Sequence, residues 1–146
     1  MGSILLRIGI IAAIAGGFWI FRDHLPGAAG DVQVGDCFDA PTTVGETVDD
    51  VSHHPCTDPH TAEVIFVGDY PDAATYPGVD AFDAFTEANC ITAFNSYTGL
   101  DFNTAIEYDM GIFYPLEEGW RDDHEITCYL VRADEGKMTQ SVKKAQ

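Results

Sequence analysis

The apolar and polar positions divide this chain into an apolar head and an alternating body. From Ile8 to Phe21 no charged residue occurs, and from Gly2 to Phe21 Arg7 is the only one. About 20 helical residues cross a bilayer core, so the head predicts a single N-terminal transmembrane helix within 1–24. Arg7 lies where its stem reaches the near headgroups, and Phe18, Trp19 and Phe21 lie at the far interface, which favours aromatic rings. The run is rich in small residues, with Gly16 and Gly17 beside Ala12, Ala13 and Ala15. Small residues let helices approach closely, so Gly16, Gly17, Phe18 and Trp19 are the expected docking positions on a larger membrane protein complex. Gly27-Ala28-Ala29 would suit cleavage of a signal peptide; the expectation is an uncleaved anchor. Leu25–Gly30 breaks the helix, and 25–33 is read as a linker.

The body carries two periods. Alternation near two marks short strands at Asp31–Phe38, Thr61–Val67, Met110–Tyr114 and Glu125–Arg132. In the last of these Ile126, Cys128 and Leu130 alternate with Thr127, Tyr129 and Val131. Asp39–Pro55 reads as a loop with one short strand around Thr43–Val48, and Gly68–Gly78 as an irregular connection. Val79–Tyr97 has a helical period that places Phe82, Phe85, Cys90, Ala93, Phe94 and Tyr97 within one half of the wheel. Asp80 is the expected N-cap and Gly99 the expected C′ residue. Leu100–Tyr108 fits neither period, and Leu116–His124 is an acidic loop around Trp120. After the turn at Asp134–Lys137 the tail is expected to fray, with 142–146 outside the domain. The fold class is α+β: a small antiparallel sheet with one main packed helix over 34–141.

Charge narrows the partners. The chain carries 24 acids and 7 bases, and residues 31–146 hold 23 of the acids and five of the bases, a net of −18. Such a surface repels phosphate backbones and excludes nucleic-acid binding. It is a soluble acidic surface or a docking face for a basic or cationic protein. Arg7 and the amino terminus precede the span, while Arg22 is offset by Asp23. The positive-inside rule then sets a cytoplasmic N-terminus and a single-pass protein of the cell membrane, with its C-terminal domain on the extracytoplasmic, periplasmic side.

That compartment favours disulfides among Cys37, Cys56, Cys90 and Cys128. Three pairings are possible, and spacing alone does not choose. The expected pairs are Cys37–Cys56, closing the polar loop, and Cys90–Cys128, joining the buried helix face to the last strand. His53, Cys56 and His60 have a spacing that zinc sites use, but a thiolate at Cys56 would strand an odd thiol, so no metal and no other cofactor is expected. His60 and Glu63 are the best acid–base pair by type. Three residues apart in a strand, they would face opposite ways. No nucleophile elbow, phosphate loop or calcium loop occurs, and the chain does not read as an enzyme.

Val34-Gly35-Asp36-Cys37-Phe38 and Cys56-Thr57-Asp58-Pro59-His60-Thr61-Ala62-Glu63-Val64 together resemble the septum formation family. The resemblance continues through Phe82–Cys90, Tyr114-Pro115, Glu118, Trp120 and Cys128-Tyr129-Leu130 to Asp134–Thr139. It departs at the long segment between Cys37 and Cys56, and at Asp122-Asp123-His124, where a Gly-Asp-Arg-like turn is more usual. The resemblance implies a small exported actinobacterial domain behind one membrane span, and it brings no catalytic residues. Two functions follow as expectations. One is a non-catalytic accessory subunit that associates with and stabilises a larger membrane assembly, respiratory or of the envelope and division machinery. The other is a ligand-sensing or regulatory module in cell division, with Tyr70, Tyr76, Phe113, Tyr114 and Trp120 lining a groove.

Overall fold

Alternation in the body produces a sheet with two buried faces. The structure is a computed structural model that describes residues 8–14, 32–42, 48, 50–71 and 74–145. In chain order the strands are β1 (Ile8–Ile14), β2 (Cys37–Asp39), β3 (Ser52–His54), β4 (Ala62–Asp69), β5 (Tyr108–Pro115) and β6 (Glu125–Arg132). Their order across the sheet is β1-β5-β6-β4-β2-β3. The five strands β2 to β6 pair antiparallel. The long central pairs are β4 with β6 and β6 with β5, and their cross-strand rows set Glu63 opposite Leu130 and Leu130 opposite Met110.

One face of the sheet holds Ile65, Met110, Ile112, Ile126, Cys128 and Leu130 and lies under the helix. The other holds Phe38, Ala62, Val64, Phe113, Tyr129 and Val131, covered by Val32, Val48 and Val51. On this second face Gly111 lies opposite Tyr129. A Cβ on Gly111 would come 2.2 Å from the Tyr129 ring, so the absent side chain is what lets the ring lie across β5.

The helix runs as α1 (Val79–Phe85), a π turn (Thr86–Cys90) and α2 (Ile91–Thr98). Phe82, Thr86, Cys90, Phe94 and Thr98 are its buried residues, one every fourth position. In a regular α-helix a four-residue repeat drifts by roughly 40° per step. The wider π turn takes up that drift in the middle of the run and keeps one face on the sheet. Thr86 and Thr98 are admitted to the core because their hydroxyls donate to the carbonyls of Phe82 and Phe94, at 2.9 and 2.8 Å. Gly99 closes the helix at φ 75°, and its N–H donates to the Asn95 carbonyl at 3.0 Å. The expected N-cap at Asp80 does not form: Gly78 holds that position with φ 85°, and Asp80 lies within the first turn, where its charge still suits the helix dipole.

The expected short strand around Thr43–Val48 lies, but for Val48, outside the described residues; a further strand, Ser52–His54, folds back on Cys37–Asp39. Two other expectations are corrected. Of the N-terminal helix expected within 1–24 only Ile8–Ile14 lies among the described residues, and that part is a strand parallel to β5. Over so short an apolar run hydropathy does not separate strand from helix, and four isoleucines in seven residues favour a strand on the open edge of β5. No helix among the described residues is long and apolar enough to cross a membrane. Gly16, Gly17, Phe18 and Trp19 lie outside the described residues. The tail, finally, is not frayed: the Val142 N–H bonds to Glu63 and the Lys144 N–H to the Tyr97 carbonyl.

Candidate functional site

The motif residues gather where β2, β4, α2 and the tail meet. Val34-Gly35-Asp36 makes a turn: Gly35 has φ 97°, and Asp36 accepts the Gln33 N–H on its carboxylate at 2.8 Å. Two further backbone bonds, Gly35 N–H to the Val64 carbonyl and Val64 N–H to the Asp36 carbonyl, dock that turn on β4 at 2.9 Å each. Cys37 then follows in register with Glu63 and bonds to Cys56. The second disulfide joins Cys90 of the π turn to Cys128 of β6.

Glu63 is fully buried. Its Oε1 accepts the Tyr97 hydroxyl at 2.5 Å and the Ser141 hydroxyl at 2.6 Å, and its Oε2 accepts the Val142 N–H at 2.9 Å. A carboxylate in a core needs such donors, because burial without them costs several kcal/mol, on the order of 3. Burial raises the Tyr97 phenol well above its ordinary value, and donation to Glu63 raises it further. The tail is tied twice more. His60 and Met138 exchange backbone hydrogen bonds at 3.0 and 2.8 Å, and the Lys144 N–H donates to the Tyr97 carbonyl at 2.9 Å. One acid thus binds the end of the chain to the helix and the sheet.

His60 is also fully buried. Its Nδ1 is 2.8 Å from the Asp58 carbonyl, so Nδ1 carries the proton and donates. Its Nε2 has no hydrogen-bond partner among the described residues. Potential ligand atoms of Cys37, His60 and Glu63 lie within 4.8 Å of one another. The expectation that His60 and Glu63 face opposite ways is therefore corrected. β4 begins only at Ala62, and His60 belongs to the bridge with Met138, so strand alternation does not extend back to it. The spacing of His53, Cys56 and His60 does not become a cluster either: His53 is exposed on β3, and Cys56 is bonded to Cys37.

The grouped aromatics part company as well. Phe113 packs on Tyr129 and Phe38 on the second face, with centroids at 4.7 and 5.9 Å. Tyr114 stacks on Phe82 at 4.5 Å on the helix side, where Trp120 packs against Tyr70 and Tyr76. They fill two cores and line no common groove. The turn at Asp122–His124 is held by the Asp123 carboxylate on the Glu125 N–H at 2.9 Å, and the His124 ring packs on Trp120 at 4.9 Å.

Above the Glu63 node lies an open cleft of about 370 Å³, lined by Ile65, Ala93, Ser96, Tyr97, Lys143 and Lys144. It exists because Glu63 fixes the tail beside α2. Two of the five bases of the acidic domain stand at its rim. The Lys143 Nζ is 5.9 Å from the centre of the Tyr97 ring. The sequence pattern gave no signal for this cleft, since its parts are 78 residues apart in the chain.

The septum formation family model matches residues 34–146. The chain belongs to the septum formation family. The match includes the tail, in keeping with its attachment to Glu63. No curated protein and no solved structure matches the chain. Membership connects this septum formation domain with cell division. It also gives both motifs a physical meaning: the glycine turn and the first cysteine dock on β4, and the histidine and glutamate capture the tail.

Proposed function

We propose that this protein is a non-catalytic, ligand-sensing or regulatory module of septum formation, tethered to the membrane with its domain on the extracytoplasmic side. The observation that carries the reading is the tail cleft. The residues best suited by type to acid–base chemistry hold the fold together, and they do so by building an apolar recess with two lysines on its rim. Such a recess suits an apolar group with an anionic end, the lysine heads answering the charge and Ile65 with the Tyr97 ring receiving the body. The rest of the acidic surface suits a basic or cationic partner protein. In this reading the apolar stretch Gly2–Phe21 is the tether, and Ile8–Ile14 exchanges its pairing with β5 for the bilayer.

A fluorescent fusion of the full chain in dividing cells tests the proposal, together with fusions carrying K143E and K144E or lacking residues 1–30. Enrichment of the intact fusion at the septum, lost on charge reversal of the lysines, supports the cleft as the recognition site. Uniform distribution, with normal division in cells lacking the protein, contradicts the reading.

A further inference from the structure

We propose that the Cys37, His60 and Glu63 cluster is a reduction-gated site for a thiophilic divalent cation such as Zn²⁺. Four observations support it. His60 presents a buried Nε2 lone pair with no partner among the described residues, because Nδ1–H is committed to the Asp58 carbonyl. Metal-binding histidines are oriented in this way, by a carbonyl on the far ring nitrogen. Glu63 is held by Tyr97, Ser141 and Val142, yet Oε2 accepts only one of these donors and keeps a lone pair. Cys37 faces Glu63 across β2 and β4, and its sulfur completes a group whose donor atoms already lie within 4.8 Å of one another. Nitrogen, oxygen and sulfur ligands around zinc stand roughly 3.3–3.8 Å apart, so a closure of about 1 Å makes the site. Cys56 is bonded to Cys37 and would bring the fourth ligand.

The disulfide is the gate. While Cys37 and Cys56 share their bond, neither sulfur is a thiolate and the site lacks its anionic sulfur ligand. A protein dithiol supplies the two electrons. One of its thiolates attacks the half-buried Cys56 sulfur; the Cys37–Cys56 bond breaks, and Cys37 leaves as a thiolate. The second thiol of the reductant then resolves the mixed disulfide, the reductant leaving as its own disulfide. The cation binds the freed thiolates with His60 Nε2 and a Glu63 oxygen, and the displaced thiol protons pass to solvent.

Co²⁺, whose thiolate charge-transfer absorption reports sulfur ligation, is the probe, titrated into the full chain before and after phosphine reduction under argon. The disulfide form should show no such band, and the reduced form should saturate it at one equivalent. His60→Ala should weaken binding by more than about a hundredfold, exceeding the usual loss of an outer partner, and Tyr97→Phe by about tenfold. Cys56→Ser frees the Cys37 thiol without any reductant and leaves Cys90–Cys128 intact, so it should bind Co²⁺ unreduced, whereas Cys37→Ser, which keeps only the Cys56 thiol outside the close group, should bind at least about tenfold more weakly. Should reduction unfold the chain, recovery of the far-ultraviolet signal on adding one equivalent of Co²⁺ would support the site. No band in a folded Cys56→Ser chain, no recovery after reduction, or binding indifferent to His60 and Cys37 would overturn it.

Discussion

Glu63 on β4 accepts a hydrogen bond from Ser141, 78 residues further along the chain, at 2.6 Å. The same carboxylate takes the Tyr97 hydroxyl and the Val142 N–H. Replacing it by alanine takes the acceptor from all three donors and empties a buried position. Glu63→Ala is expected to lower stability by about 3 kcal/mol, and Glu63→Gln, which keeps the acceptor oxygen but adds an NH₂ group beside donors, by about 2 kcal/mol. Urea unfolding followed by tryptophan fluorescence measures both; a loss below the error of the curve would remove Glu63 from the centre of the account.

The Tyr97 phenol gives this node a pH signature. Its folded value is raised, first by burial and then by donation to Glu63. A raised acid stabilises the fold fully below its unfolded value, about 10, and that stability is lost as pH rises from there towards the folded value. Stability should therefore fall above about pH 10. Tyr76, Tyr108 and Tyr114 are shifted the same way, mainly by burial, so Tyr97→Phe should make the alkaline decline shallower without abolishing it. Equal slopes in the two proteins would show that the bond to Glu63 is not felt.

Gly111 tests the second face of the sheet. A Cβ there meets Tyr129 Cζ at 2.2 Å and Cε2 at 2.3 Å. The ring lies between β5 and Phe38, whose centroid is 5.2 Å away. Gly111→Ala is expected to cost about 3 kcal/mol, the upper end of ordinary overpacking. A thermal midpoint equal to that of the unaltered chain would mean that the ring relocates freely.

The two disulfides should differ in weight. Cys37 and Cys56 are separated by 19 positions, and Cys90 and Cys128 by 38. Loop entropy alone assigns them about 3 and about 4 kcal/mol. Paired alanine replacement at Cys90 and Cys128 should therefore lower stability more than the same change at Cys37 and Cys56. The reverse order in denaturant unfolding would locate the rigid part of the molecule at the glycine turn instead of the helix.

The legible parts of this fold were those with one dominant period. Glu125–Arg132 could be read from its alternation, and the helix end from Thr98-Gly99, because each depends on residues a few positions away. The interior of the helix was only half legible. A buried position every fourth residue, including Thr86 and Thr98, is discounted by a search for apolar side chains at 3.6 spacing. Ser52–His54 carries no strand signal of its own and pairs because the Cys37–Cys56 bond and the turn bring it to β2. Ile8–Ile14 satisfies both a membrane helix and a strand by hydropathy, and the open edge of β5 offers it a partner as a strand. The site was marked in the sequence by its motif residues, but their joint role was hidden. The partners of His60 and Glu63 are Met138, Ser141 and Val142, in a stretch whose polar composition reads as a frayed end.

The central claim, that the motif histidine and glutamate exist to hold the tail and so build the cleft, is tested most directly by amide hydrogen exchange in the full chain and in Glu63→Gln. The Val142, Lys144 and Met138 amides should be protected in the unaltered protein. In the variant Val142 and Lys144 should exchange faster by about tenfold, the loss of roughly 1.4 kcal/mol of local stability, while Leu130 and Ile112 at the centre of the sheet stay protected. Unchanged protection of Val142 and Lys144 in a folded Glu63→Gln protein would contradict it.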